Sequence, residues 1–254
     1  MKNKIEPEII KLEIESCKNN TGTLEIYINN NNHSDTIILV IPGGSYEFTS
    51  KRESDPTSNR FLSLGYNTAI LHYSVHPFCH PTQLNEGVKS LEILSKKFKN
   101  IFCIGYSAGG HLTGLLGTND IKYNLKGIIL CYPVISFCEF CHEKSRQNYL
   151  GDLDNENNRI LYSIQNRVNK NTVPCFIWTV KPDTLVDYNN TVLMIDALKK
   201  NNIKFISEIF ETGVHGIALA DSTSKKGDDD NYVNKEVAKW VDKAVNFIED
   251  IIKK

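Results

Sequence analysis

The chain has 254 residues, 41% hydrophobic and 23% charged, with 29 lysines and arginines against 30 aspartates and glutamates and a formal net charge of −1. This is the composition of a globular protein able to bury a sizeable core. Balanced, interspersed charge offers no electrostatic footprint for nucleic acid or an anionic membrane surface, and no apolar run approaches the length that spans a bilayer.

The amino-terminal residues Met1–Glu8 lack the apolar stretch of a secretion signal. The seven cysteines, an odd number, then read as reduced thiols of a cytoplasmic protein. Ile9–Glu15 and Thr23–Ile28 alternate apolar and polar residues, the period of half-buried antiparallel strands, and the asparagine-rich segment 29–34 is a turn between strands. Thr36–Ile41 is a continuous β-branched run suited to a strand buried on both faces. Thr68–Tyr73, Ile101–Ile104, Gly127–Tyr132, Val173–Thr179 and Lys204–Phe210 continue the series of buried strands. Helical spacing appears over Thr82–Phe98, Asn190–Lys200 and Val233–Ile252.

Strands alternating with helices predict an α/β architecture. Its central sheet is mostly parallel, with antiparallel amino-terminal strands and helices on both faces. No internal repeat or low-complexity linker divides the chain, so 1–254 reads as a single domain. Within it, 136–172 makes an excursion over the active-site edge of the sheet.

The strongest motif is Gly105-Tyr106-Ser107-Ala108-Gly109, preceded by the Ile101–Ile104 strand and followed by Leu112–Leu116 as a helix. Strand, tight turn with serine at its apex, then helix is the context of a nucleophile elbow. Its glycines are required because side chains there would strike neighbouring backbone. A serine nucleophile needs a base. His215 is the candidate, set in Thr212-Gly213-Val214-His215-Gly216 just past the last strand, at the carboxyl edge where ligands bind in open α/β sheets. The acid expected between serine and histidine is Asp183, after the Val173–Thr179 strand, with Asp187 as a competitor. An oxyanion hole is expected from the backbone N–H groups of Gly44 or Ser45, in Pro42-Gly43-Gly44-Ser45-Tyr46, together with Ala108. Cys138-Glu139-Phe140-Cys141-His142 has the spacing of a haem-attachment site. No second Cys/His pair stands near it at zinc spacing, so it reads as packing thiols.

With these residues in hand, the chain resembles the α/β-hydrolase superfamily, and within it the acetyl-esterase and acetylxylan-esterase-like branch of small carboxylesterases. Residues 38–50 are similar to that branch's proline-glycine loop, with Ser45 where a third glycine is usual. Residues 61–75 are similar to its next strand, Gly105–Gly117 to its elbow, and Cys131-Tyr132-Pro133-Val134-Ile135 to the strand end that follows. Residues 145–151, 174–198 and 210–219 complete the match, with departures at Thr179, Pro182 and Asp187.

The resemblance implies a serine carboxylesterase that hydrolyses short-chain esters, acetyl above all and carbohydrate esters among them, through an acyl-enzyme. Ser107 is carried over as nucleophile, Asp183 as acid and His215 as base. The alternatives are an arylformamidase-type amidase and a non-catalytic binding module. Neither metal nor organic cofactor is implied, and the partner is a small-molecule ester. Tyr46, Phe78 and Trp178 are candidate walls of the pocket. Oligomeric state leaves no signal in the residues.

Overall fold

The computed structural model describes residues 5–29 and 33–253. Eight strands form one sheet: β1 (Glu8–Lys11), β2 (Thr23–Tyr27), β3 (His33–Ile41), β4 (Tyr66–His72), β5 (Asn100–Tyr106), β6 (Leu125–Cys131), β7 (Cys175–Val180) and β8 (Phe205–Phe210). Their order is β1-β2-β4-β3-β5-β6-β7-β8. β1 pairs antiparallel with β2, and β2 antiparallel with β4; every later pairing is parallel. This is the mostly parallel sheet with an antiparallel start that the residue patterns predict.

The continuous apolar character of β3 follows from burial on two sides. Ile37, Leu39 and Ile41 enter one core with Leu91 and Leu94 of α2 (Thr82–Ser95), Leu112, Leu115 and Leu116 of α3 (Ser107–Thr118), and Met194 and Leu198 of α6 (Asn189–Lys200). Ile38 and Val40 face the other core, with Phe61 of α1 (Lys51–Ser63) and Trp240, Val241, Phe247 and Ile248 of α8 (Trp240–Ile252). Each such side chain contributes roughly 1.5–3 kcal/mol when withdrawn from water. A strand with both faces occupied therefore cannot show the period-two pattern of a surface strand. No helix among the described residues is long and apolar enough to cross a membrane.

The structure departs from the sequence expectations at five places. The first predicted strand is cut to Glu8–Lys11, and Ile14 only bridges to Cys17. Helix α1 carries no apolar stripe. Its inward positions include Ser54, Thr57 and Ser58, and the Thr57 and Ser58 hydroxyls bond Tyr106 Oη and Thr68 Oγ1 instead. Residues 61–63, assigned by resemblance to a strand, are its last turn. The predicted carboxyl-terminal helix is broken into α7 (Lys235–Ala238) and α8, and it starts late because the Asn234 side chain caps α7 by accepting the N–H groups of Glu236 and Val237. Helix α3 begins at Ser107 itself, ahead of the predicted Leu112–Leu116. The predicted asparagine turn falls largely on residues 30–32, outside those described.

Excursion 136–172 contains α4 (Glu143–Leu150) and α5 (Glu156–Leu161). Ile164 packs onto Gly114 of α3, and the Asn148 side-chain amide donates to the Ser45 carbonyl, so the segment lies against both the elbow helix and the glycine loop.

The start of α3 depends on glycine. A Cβ at Gly109 would meet the carbonyl oxygens of Ile41 and Pro42, and one at Gly105 would meet the Gly109 carbonyl. Backbone cannot yield as a side chain can. Gly109→Ala is expected to lose about 1–3 kcal/mol or more by overpacking, lowering Tm by roughly 2–4 °C per kcal/mol at this chain length. Gly87→Ala, whose Cβ would find its nearest neighbour in the flexible Leu116 side chain at 3.2 Å, should leave Tm within a degree or two of wild type. Thermal unfolding of the two variants checks this.

Behind the elbow, His111 is fully buried; its Nε2 lies 2.8 Å from the Tyr162 carbonyl and its Nδ1 2.8 Å from Tyr46 Oη. A carbonyl only accepts, so Nε2 carries the proton and Tyr46 donates to Nδ1. Burial lowers the His111 pKa to about 3. The unfolded chain therefore takes up a proton below about pH 6.5 that the folded chain refuses, and stability falls as pH drops through that window. His111→Gln should lose less stability than wild type between pH 7.5 and 5, by roughly 2 kcal/mol, in denaturant unfolding at the two pH values.

Candidate active site

Ser107 sits where β5 ends and α3 begins, with φ of 50° and 5% of its surface exposed. A non-glycine residue held at positive φ is strained by about 1–3 kcal/mol and persists only where its surroundings enforce it. The close packing at Gly105 and Gly109 supplies that enforcement.

His215 is carried by the loop after β8, between Gly213 (φ 131°) and Gly216 (φ 71°). Its Nε2 stands 2.9 Å from Ser107 Oγ and its Nδ1 2.6 Å from Asp183 Oδ2. An ionised carboxylate can only accept, so Nδ1 carries the proton and Nε2 is left to accept the serine hydroxyl. The Asp183 side chain is fully shielded from solvent. Its second oxygen accepts the N–H groups of Leu185 and Val186, both at 2.9 Å, which fixes its orientation in the turn after β7. Asp187, the competitor, is exposed and turns away; its carboxylate accepts the backbone and side-chain N–H groups of Asn189 at the start of α6.

The glycine loop after β3 runs beside Ser107. Gly44 has φ of 127° and Ser45 φ of 58°, and both line the same cleft as Ser107 and His215. No hydrogen bond among the described residues engages the N–H of Gly44 or Ser45. The Ala108 N–H lies in the first turn of α3, where amides have no intrahelical acceptor. The N–H groups of Gly44 and Ser45 are therefore free in the cleft that Ser107 lines, and that of Ala108 stands in the first turn of the helix that begins at Ser107, an arrangement suited to developing negative charge.

The cleft has a volume of about 450 Å³, within the range of small-molecule sites. Beyond the predicted residues its walls include Phe48, Arg52, Glu53, Leu185, Lys226 and Tyr232. Motif reading passes over these because they come from a polar helix turn and from loops without periodicity. The predicted walls Tyr46 and Trp178 are a correction: both are fully buried. Tyr46 lies between Tyr73 and Tyr149 and bonds His111, while Trp178 donates to Cys131 Sγ and stacks on Trp240. Large aromatics near a strand's end fill the core first, because that is where they remove most apolar area from water. Phe78 is half-buried and stands away from the cleft.

Glu53 is buried (3% exposed) at the cleft floor. Burial raises its pKa, and hydrogen bonds from the Tyr132 hydroxyl and the Gly43 N–H work against that rise. The haem-like cysteines have other partners: Cys138 accepts from Ser163, Cys141 from Arg146, and His142 Nδ1 bonds Ser145 at the start of α4. No cluster of three metal-ligating side chains occurs among the described residues.

This geometry has close relatives. An acetyl ester-xyloside bifunctional hydrolase from Caldicellulosiruptor lactoaceticus is 28% identical and superposes with a TM-score of 0.86, covering 99% of this chain and 98% of that one. Endo-1,4-beta-xylanase B of Butyrivibrio fibrisolvens is 29% identical over 217 residues, and an acetylxylan esterase of Xylanibacter ruminicola 26% identical over 204. These alignments take in 76% and 74% of this chain but only 34% and 42% of the curated relatives. The BD-FAE family matches residues 24–198, more than half of the sequence, and the chain belongs to that family of α/β-hydrolases.

Proposed function

We propose that the protein is a serine carboxylesterase that removes short acyl groups, acetyl foremost, from carbohydrate esters. The observation that carries this reading is the unbroken hydrogen-bond relay Ser107–His215–Asp183 at the wall of a cleft that is also lined by Gly44 and Ser45, whose amides are free, with the Ala108 amide next to Ser107 in the first turn of α3. His215 Nε2 takes the Ser107 proton as Oγ attacks the ester carbonyl, and the resulting imidazolium is stabilised by Asp183. The oxyanion forms against the amides, where fixed dipoles need no reorganisation. Collapse of the tetrahedral adduct expels the alcohol, protonated by His215, and leaves an acyl-serine. Water, deprotonated by the same histidine, then hydrolyses that ester.

The cleft walls support a polar alcohol. Ser50, Thr184 and Lys226 offer hydrogen-bond donors to sugar hydroxyls. The names of the Caldicellulosiruptor and Xylanibacter relatives, an acetyl ester-xyloside hydrolase and an acetylxylan esterase, favour the same substrate class.

Three measurements test the reading. A fluorophosphonate should label wild-type protein and fail to label Ser107→Ala, and acetyl-ester hydrolysis should vanish with the label; an unlabelled wild type would end the proposal. Asp183→Asn should lower kcat by about 10⁴-fold, since the wrong histidine tautomer is then favoured, whereas Asp187→Asn should keep wild-type turnover. Acetylated xylo-oligosaccharides should be hydrolysed with higher kcat/KM than N-formyl aromatic amides; the reverse order would move the assignment to an amidase.

A further inference from the structure

We propose that Arg52 and Glu53 are positioning residues that together set the spacing between the histidine loop and the oxyanion loop. The proposal rests on the esterase reading of the cleft. The two residues are consecutive in the first turn of α1, so their side chains leave the helix about 100° apart and can reach opposite sides of one site.

Arg52 grips the histidine loop. Its Nη2 donates to the carbonyl of Gly216, the residue after His215, at 3.0 Å, and its Nη1 donates to the Ser224 carbonyl at 2.7 Å. The guanidinium carbon lies over the Tyr232 ring, 4.7 Å from its centroid. A planar fork spanning two carbonyls fixes direction as well as distance.

Glu53 grips the other side. One oxygen accepts the Gly43 N–H at 2.7 Å, immediately before Gly44, and the other accepts the Tyr132 hydroxyl at 2.8 Å. Tyr132 carries the connection onward, because its Oη accepts the Ala218 N–H at 3.1 Å and its ring meets His215 edge-on with centroids 5.0 Å apart. The histidine loop is thus tied at Gly216 and at Ala218, on either side of Ile217 just past His215, and both ties return to the same helix turn.

Other contacts hold one loop alone: Asn148 bonds the Ser45 carbonyl, and Tyr46 bonds His111. Among the hydrogen bonds of the described residues, those of the Arg52–Glu53 step join both loops to one helix turn. The reaction needs them in register. His215 must face Ser107 while the amides beside Gly43 face the carbonyl oxygen, and an error of about 1 Å between them can cost 10²-fold in rate. Burying a carboxylate is costly unless its lone pairs are satisfied, and here satisfying them is what joins the loops.

The test uses purified full-length Arg52→Lys, Glu53→Gln, Glu53→Ala and Tyr132→Phe, with kcat expressed per fluorophosphonate-titrated site and Tm measured alongside. Lysine keeps the charge but cannot span two carbonyls. Arg52→Lys is therefore expected to lower per-site kcat on p-nitrophenyl acetate by roughly 10–100-fold with KM within about twofold. Glu53→Gln retains an oxygen for the Gly43 N–H and an N–H₂ for Tyr132, so it should recover most of the turnover that Glu53→Ala loses. Arg52→Lys and Tyr132→Phe loosen the same loop, so their combined loss in log kcat should differ from the sum of the single losses. Should Glu53→Ala fail to fold, the other three variants carry the comparison. Wild-type per-site kcat in Arg52→Lys and Tyr132→Phe would overturn the clamp alone. A wild-type protein that neither labels nor hydrolyses the ester would remove the esterase reading and the clamp with it.

Discussion

The organising constraint is the approach of α3 to β3 at Gly109, where the helix backbone lies against the carbonyls of Ile41 and Pro42. A side chain there would push the helix off the sheet. With none, α3 can begin directly at Ser107, and the serine is forced into positive φ at the point where its hydroxyl meets the cleft. The same contact brings the Pro42–Ser45 loop alongside the helix N-terminus. The proposed nucleophile and the loop of the proposed oxyanion donors are therefore placed by one packing event. The strain of about 1–3 kcal/mol at Ser107 is small beside the burial of β3, β5 and α3 that imposes it.

The second layer is a set of buried polar groups, each satisfied. Ser58 meets Thr68, Thr57 meets Tyr106, Glu53 meets Gly43 and Tyr132, and His111 meets Tyr46 and Tyr162. Networks of this kind add little net stability per bond, but a broken member leaves its partner unsatisfied in a low-dielectric interior. Their effect is to exclude alternative packings. That is why α1, which buries polar residues through much of its length, still docks in one orientation and presents Arg52 and Glu53 to the cleft.

The parts legible in sequence share one property: their chemistry is local. The strands from β3 to β7 were readable as apolar runs, whereas β8, placed with them as a buried strand, is the half-exposed edge of the sheet; the elbow, His215 and Asp183 were readable through glycines and strand ends close by in the chain. What could not be read was decided across space. Helix α1 has no hydrophobic period because its buried hydroxyls find partners on β4 and β5. Asn234 stops a helix that periodicity alone starts at Val233. Tyr46 and Trp178 carry no mark that distinguishes a cleft wall from a core filler, and the sheet takes both into its cores. Arg52, Lys226 and Tyr232 meet only because the loop after β8 folds back over the first turn of α1.

The choice between Asp183 and Asp187 illustrates the same division. Both are acidic, four residues apart, and follow the same strand, so composition cannot separate them. Environment does. Asp183 is enclosed, with two backbone N–H groups on one oxygen and the imidazole on the other; Asp187 lies in water and organises the start of α6. A carboxylate that must stabilise an imidazolium gains most where water is excluded and its own orientation is already fixed. Exchanging the two environments would require moving the turn that the Leu185 and Val186 amides define. The proposed acid is therefore set apart by the backbone following β7, whose Leu185 and Val186 amides orient the side chain at 183 toward His215.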